Sequence, residues 1–187
     1  EPKKHVPSVS VTYAQNGSAT KSNELGMRAM QERAYEKRGE QYLLIKSPPA
    51  SGKSRALMFI ALDKLNNQGL RKAIVVVPER SIGSSFNDEP LTKFGFYWDW
   101  SVEPKWNLCN APGDDNGGKV NSVKAFLDSE DKVLVCTHAT FRFAVDRFGV
   151  DAFDNCLIAV DEFHHVSANP DNKLGAHLGD FIARDKV

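Results

Sequence analysis

Four short runs of apolar residues are spaced along the chain. They lie near residues 42–46, 73–77, 132–136 and 157–160, and the last three are rich in Val, Ile or Leu. Apolar runs of this length are typical of strands buried on both faces of a sheet. Because the first three are predicted to be followed by helices, the pattern predicts an α/β fold with a mainly parallel sheet, right-handed crossovers and helices on both faces.

Two stretches predict particular helices. Apolar residues four positions apart at 57, 61 and 65 predict a helix that ends near Gly69. A second helix is predicted from about Asn23, a capping residue, to Gly39. The buried face of this second helix is expected to carry Met27, Met30 and Ala34.

Composition limits the number of domains and the cellular location. Residues 1–22 are polar and predict a loosely ordered arm, whereas residues 23–187 are expected to form one domain. The 41% hydrophobic and 26% charged residues are ordinary for a globular protein. No apolar run has the length of a membrane span or secretory signal, so a cytoplasmic protein without a membrane partner is expected.

Charge and cysteine usage narrow the classes of partner and site. The 24 basic residues balance the 24 acidic ones, so a nucleic-acid site would have to be a local patch. The three cysteines contain no Cys-x-x-Cys pair, which argues against a disulfide framework and a zinc site. Cys136 and Cys156 flank predicted strands and are expected to be buried.

The first apolar run leads into a turn of small residues that ends in Gly-Lys-Ser. Such a turn lets backbone N–H groups surround phosphate oxygens, and the following helix directs its positive end at the same anion. Lys53 is expected to reach the β and γ phosphates, and the Ser54 hydroxyl to bind Mg²⁺. The turn therefore predicts an ATP or GTP site, with an ordinary strand-to-helix turn as the alternative. The expected ligand-binding residues are Ser47, Pro48, Ala50, Ser51, Gly52, Lys53, Ser54 and Arg55.

Two carboxylates, Asp161 and Glu162, follow the fourth apolar run. Ligands bind at the carboxyl ends of strands in open parallel sheets, so Asp161 is expected to converge with Lys53. Asp161 would hold Mg²⁺ through water, and Glu162 would polarise the water that attacks the γ phosphate. The alternative is that the two carboxylates only cap the next turn.

The segment Asp161-Glu162-Phe163-His164, together with the small-residue turn, resembles a known family. It is similar to the first RecA-like domain of superfamily 2 DExH-type helicases and translocases of the DEAD/DEAH box kind. The likeness is greatest to the motor subunits of type I and type III restriction enzymes. The resemblance implies a RecA-like P-loop domain that binds and hydrolyses ATP, with His164 linking the nucleotide site to elements that sense nucleic acid.

Three further stretches support this resemblance. Arg28 to Ala34 resembles a helix of that group in which a glutamine contacts adenine, so Gln31 is the implied adenine reader. A solvated helical glutamine is the alternative. The ends of the second and third predicted strands resemble the family's nucleic-acid-contacting turns, although helix caps would have the same residue types. The implied contacts come from Pro78, Arg80, Ser81, Thr137, His138 and Thr140.

The resemblance also implies partners. DNA is the expected nucleic acid, and a second RecA-like domain, absent from this chain, would supply the arginine that completes hydrolysis. We therefore expect weak or no hydrolysis by this chain alone. Two alternatives stay open: a P-loop ATPase that acts on proteins without nucleic acid, and a degenerate binding module in which Ser47 and Ala50 replace glycines.

Two remaining segments give less specific signals. Residues 94–100, with Trp106 soon after, are unusually aromatic and could stack exposed bases, although a core cluster is the commoner outcome. Residues 110–122 predict a turn-rich loop. Its Gly118-Lys119 pair lacks both a preceding strand and a following hydroxyl, so a second phosphate loop is not expected.

Overall fold

A computed structural model describes residues 8–10, 25–46, 52–78, 86–109, 116–161 and 173–187. The elements of these residues alternate between strand and helix, as the apolar pattern predicts. The strands are β1 (Ser8–Ser10), β2 (Leu44–Lys46), β3 (Lys72–Val77), β4 (Val133–Thr137) and β5 (Cys156–Val160). The α-helices are α1 (Ala29–Glu36), α2 (Lys53–Asn67), α3 (Asn116–Asp128), α4 (His138–Phe148) and α5 (Lys173–Arg184).

The chain divides into two compact units. The first comprises Glu1–Lys64 and Glu89–Trp100, and the second comprises Leu65–Asp88 and Ser101–Val187. Each unit has its own parallel pairing of strands: β1 with β2 in the first, and β4-β3-β5 in the second. The predicted α/β class with parallel strands is therefore confirmed.

The second unit is built around β3. All six residues of this strand are buried, and Ile74 pairs with Leu134 on one side and Ile158 on the other. The helices that connect parallel strands cover both faces of such a sheet, which explains the continuous apolar sequence of its middle strand. Aromatic rings fill the space beside α4 and α5: Phe141 lies 5.3 Å from Phe153 between ring centroids, and Phe153 lies 5.8 Å from Phe181.

The first unit has a smaller core between α1 and α2. Met30 and Ala34 of α1 are buried with Ala56 and Ile60 of α2, and Ile45 of β2 packs against them. Strand β1 pairs in parallel with β2 in this unit. The sequence did not predict β1, because only one of its three residues is apolar.

Helix α1 is shorter than the predicted helix over residues 23–39. Gly26 has a φ of +71° and Arg28 is extended, so the helix begins only at Ala29. It ends at Glu36, before a turn over residues 37–39. The predicted buried face is confirmed, because Met27, Met30 and Ala34 are all buried.

Helix α3 begins inside the stretch predicted to be a loop through residue 122. Val120 and Val123 are buried on its inner face, and their packing outweighs the two glycines near its start. Gly118 and Lys119 therefore lie near the start of this helix. Helix α5 was not predicted.

The burial of the cysteines agrees with the sequence. Cys136 and Cys156 are buried as predicted, Cys109 is buried too, and all three are free thiols. Burial raises the pKa of the Cys136 thiol. Within the part of the chain that the structure describes, no helix is both long and apolar enough to cross a membrane.

Candidate functional site

The start of α2 carries the described part of the predicted phosphate-binding turn. Gly52 has a φ of +85° and its carbonyl accepts the N–H of Ala56 at 3.2 Å, so the helix begins directly after it. Lys53 and Ser54 form the first turn and are half-buried. The N–H groups of this turn have no acceptor inside a helix and are suited to an anion. The predicted ligand residues Ser47, Pro48, Ala50 and Ser51 lie outside the described residues.

Gln31 contacts this turn directly. Its side chain is buried, with 2% of the residue exposed, so the alternative of a solvated glutamine is wrong. Its Oε1 accepts the N–H of Arg28 at 2.7 Å, and its Nε2 donates to the Gly52 carbonyl at 3.0 Å. The sequence singled out Gln31 through its resemblance to an adenine reader, but not this bond. Adenine contact by Gln31 stays a prediction.

Only glycine fits position 52 in this arrangement. A Cβ atom there would lie 2.5 Å from Nε2 of Gln31, closer than real Cβ contacts allow. The positive φ is a second reason, since residues that carry a Cβ rarely adopt a positive φ. The conformation of Gly52 and the position of Gln31 are therefore coupled.

Arg55 links the first turn of α2 to the segment before α1. Its Nη1 donates to the Gly26 carbonyl at 2.6 Å, and its guanidinium lies over the rings of Phe59 and Phe94 at 4.9 and 5.1 Å. Burial lowers the pKa of Arg55, and the charge of Glu89 opposes this shift. The structure thus gives Arg55 a packing role, and its contact with a nucleotide stays a prediction.

A buried carboxylate in α2 holds α1 in place, and sequence reasoning missed it. The Asp63 side chain is 4% exposed and lies 3.3 Å from Nε of Arg38. It also accepts the hydroxyls of Tyr35 at 3.3 Å and Tyr97 at 3.1 Å. Burial, the bond to Tyr97 and the charge of Asp63 raise the pKa of Tyr35. The sequence feature that could have indicated this role is Asp63 itself, a single acidic residue that directly follows the apolar Leu62 in the predicted helix.

Asp161 follows β5 in the second unit and is 4% exposed. Its N–H donates to the Val76 carbonyl at 2.8 Å, and its own carbonyl lies 2.9 Å from Nε2 of His138. Both bonds fix the main chain where the carboxylate leaves the sheet. The predicted catalytic Glu162 and the predicted coupling residue His164 lie outside the described residues.

Two predicted magnesium ligands, each taken by itself, have suitable donor chemistry, and magnesium binding by them stays a prediction. Mg²⁺ prefers oxygen ligands and is usually held by one or two protein oxygens together with substrate phosphates. The Asp161 carboxylate and the Ser54 hydroxyl are ligands of this kind. Among the described residues, no group of three or more His, Cys, Asp or Glu residues could hold a metal ion by itself.

The turn after β4 is a helix cap. Thr137 is the N-cap of α4, and its Oγ1 accepts the N–H of Thr140 at 3.2 Å. Thr140 is buried and its hydroxyl lies 3.2 Å from that of Thr137. The helix-cap interpretation is confirmed for Thr137, and nucleic-acid contact by Thr137, His138 and Thr140 stays a prediction. Pro78 is half-buried after β3, whereas Arg80 and Ser81 lie outside the described residues.

The aromatic segment is divided between core and surface. Phe96, Trp100 and Trp106 are buried, as the core interpretation predicts. Three of its side chains are among the exposed large hydrophobic residues, at 43% for Phe94, 47% for Tyr97 and 42% for Trp98. The Tyr97 hydroxyl is nevertheless bonded to Asp63, so this ring is anchored at its polar end.

Comparison with known proteins agrees with the pattern of this site. The chain matches the family described as "Type III restriction enzyme, res subunit" over residues 24–179. It is 58% identical over 174 residues, 93% of its length, to a protein of Bacillus subtilis (strain 168) named "Putative ATP-dependent helicase YeeB". The chain spans 28% of the length of that relative. No solved structure matches it significantly. The superfamily 2 resemblance is thereby confirmed, and the chain belongs to the type III restriction enzyme res subunit family as an ATP-binding domain of helicase type.

Proposed function

We propose that this chain is the ATP-binding motor domain of a DNA helicase or translocase, in which hydrolysis of Mg-ATP drives movement along DNA. The observation that carries the proposal is the start of α2, where Gln31 donates to the carbonyl of Gly52 directly before Lys53. A helix start of the kind that suits an anion lies there beside a buried amide. Family membership and a relative named as an ATP-dependent helicase support the same conclusion.

The proposed roles in ATP binding follow from side-chain chemistry. Lys53 pairs with the phosphates, and Gln31 recognises adenine. Backbone N–H groups of the turn, from Ser47, Ala50, Ser51 and Gly52, surround the phosphate oxygens. Pro48, which has no backbone N–H, is a further proposed contact of the same turn. Arg55 supports the first turn of α2 through Gly26.

The residues with proposed roles in hydrolysis lie at the start of α2 and after the end of β5 in the sequence. Ser54 and Asp161 would hold Mg²⁺, which when bound neutralises phosphate charge. Glu162 orients the attacking water and accepts its proton, and His164 couples this chemistry to nucleic-acid binding. That Asp161 converges with Lys53 on one nucleotide stays a prediction. A second RecA-like domain elsewhere in a longer protein would supply the arginine that completes hydrolysis.

The proposed contacts with DNA use neutral groups more than charge. The chain has equal numbers of basic and acidic residues, so a strong uniform attraction to phosphate is not expected. Hydroxyls and backbone N–H groups at strand ends can bind the backbone of a strand without reading its sequence. The proposed contact residues are Pro78, Arg80, Ser81, Thr137, His138 and Thr140.

The proposal is tested by phosphate release from Mg-ATP, with and without single-stranded or duplex DNA, in a protein that carries this chain and the second RecA-like domain. DNA should increase release by the parent. Glu162→Gln should bind Mg-ATP normally but release phosphate at least about 100-fold more slowly, because general base catalysis contributes about that much. Glu103→Gln, at an exposed glutamate, is the matched control and should behave like the parent.

Two results would contradict the proposal. If Glu162→Gln released phosphate at the parent rate, Glu162 would not orient the attacking water. If the parent hydrolysed ATP but neither bound DNA at low salt nor responded to it, the chain would belong to a P-loop ATPase that acts without nucleic acid.

A further inference from the structure

His138 is the first residue of α4 and contacts Asp161 at the end of another strand. Its Nε2 lies 2.9 Å from the carbonyl oxygen of Asp161. Because a carbonyl oxygen can only accept, Nε2 carries the proton of this hydrogen bond. The sheet order is β4-β3-β5, so the bond joins the carboxyl ends of two strands that do not pair with each other.

The bond completes the attachment of the Asp161 main chain. On the β3 side, the Asp161 N–H donates to the Val76 carbonyl at 2.8 Å. On the β4 side, its carbonyl accepts from His138. With both peptide groups held and the residue buried, the direction in which the carboxylate leaves the strand depends on where the His138 ring lies. A hydrogen bond shielded from water is also stronger than an exposed one.

The position of the His138 ring depends in turn on the cap of α4. Thr137 accepts the N–H of Thr140, and the two hydroxyls are 3.2 Å apart. His138 lies between the two capping residues, so the cap fixes the main chain from which its ring projects. The same turn is one of the proposed nucleic-acid contacts.

We propose that His138 is a positioning residue that couples the Thr137–Thr140 turn to Asp161 through the Asp161 carbonyl. This inference rests on the proposed function, since it requires DNA at the turn and Mg-ATP at Asp161. Binding of a strand at the turn favours the ring position that orients Asp161, and Mg-ATP at Asp161 favours the same position. Coupling between two sites is reciprocal, so each ligand strengthens the binding of the other by the same factor.

The inference is tested by measuring this factor with the 187-residue chain. The dissociation constant of a fluorescent single-stranded oligothymidine is measured at low salt by anisotropy, with and without a non-hydrolysable ATP analogue and Mg²⁺. The parent should bind the strand about 5- to 150-fold more tightly with the analogue, the usual range for coupled sites. In His138→Ala the ratio should fall to about 1, since the coupling bond is lost.

Two variants separate coupling from a structural role of His138. His138→Gln keeps a donor amide at similar reach and should retain most of the ratio. His177→Ala is the matched control: it removes another histidine of the second unit, one paired with Asp146 on α4, and should keep the full ratio. If His138→Ala does not fold, His138→Phe takes its place, because phenylalanine fills the ring volume but cannot donate.

The outcomes distinguish this inference from the proposed function. If the parent binds both ligands and His138→Ala keeps the parent ratio, His138 does not couple the sites. The inference is then overturned, whereas the proposed function is not. If the parent binds both ligands with a ratio of 1, the inference is again overturned alone. If the parent binds neither ligand, the proposed function is contradicted, and the inference, which rests on it, is contradicted too.

Discussion

The contact between α1 and α2 differs from the β4-β3-β5 sheet in how it is held together. In the helix pair, three half-buried or buried polar side chains, Gln31, Arg55 and Asp63, each bond to a distant part of the first unit. In the sheet, an entirely buried apolar strand pairs on both sides through its backbone. The difference indicates that single polar groups place the predicted nucleotide contacts of the first unit, whereas packing volume and strand register place the strands of the second. Asp161, which follows β5, is held in addition by the side chain of His138.

The largest effect is expected from loss of volume in the sheet. Ile74→Ala should lower the free energy of unfolding by about 2–5 kcal/mol, because the side chain is fully buried in the middle strand. Ile158→Ala is the matched control: it changes the same residue type at the paired position, where the side chain is only half-buried. Urea unfolding should show a smaller loss for Ile158→Ala, and equal losses would contradict a core centred on β3.

In the helix pair, Asp63→Ala is expected to lower the free energy of unfolding by a smaller amount. Two hydroxyls and the Arg38 guanidinium lose a buried acceptor, which should cost about 1–3 kcal/mol. Asp128→Ala provides the control, because its carboxylate is 64% exposed and pairs with Lys124 four residues away on the same helix. If both variants unfolded at the same urea concentration, Asp63 would not hold α1.

Gly52→Ala should combine backbone strain with a clash. The positive φ alone should cost about 1–2 kcal/mol, and the new Cβ would displace Gln31. Gly69→Ala, with a φ of +68° and open space around it, measures the cost of φ alone. Thermal unfolding should therefore show a larger loss at position 52 than at 69, and the reverse order would contradict the contact with Gln31.

The smallest effect is expected at the surface of the second unit. Arg184 donates to both carboxylate oxygens of Asp154, at 2.8 and 2.6 Å, and these bonds lower the Asp154 pKa below its ordinary 3.8. A lowered pKa in the folded state gives stability that is present above the ordinary value and is lost as the pH falls through the folded value. Arg184→Ala should therefore unfold slightly more easily at pH 7 than the parent. The difference between the two should disappear at low pH, and a difference that persists there would exclude this ion pair as its source.

The sheet could be predicted from the sequence, and the links within the two units could not. Strands β3, β4 and β5 are runs of consecutive apolar residues, and such a local pattern is enough to predict that they are buried. The bond between Gln31 and Gly52 joins residues 21 positions apart and depends on a fold-specific approach of α1 to α2. The contact between His138 and Asp161 depends on the strand order, which local patterns do not specify. The start of α3 was missed because Val120 and Val123 gain more from burial than the preceding glycines lose.

The most direct measurement of the central claim is the melting temperature of the chain with and without Mg-ATP, for the parent and for Lys53→Ala. A ligand that binds only the folded state must stabilise it, by about 2.7 kcal/mol at a concentration 100 times its dissociation constant. Lys37→Ala, at an exposed lysine of the first unit, is the control. We predict that Mg-ATP raises the melting temperature of the parent and of Lys37→Ala but not of Lys53→Ala. An equal rise in Lys53→Ala, or no rise in the parent, would contradict an ATP site at the start of α2.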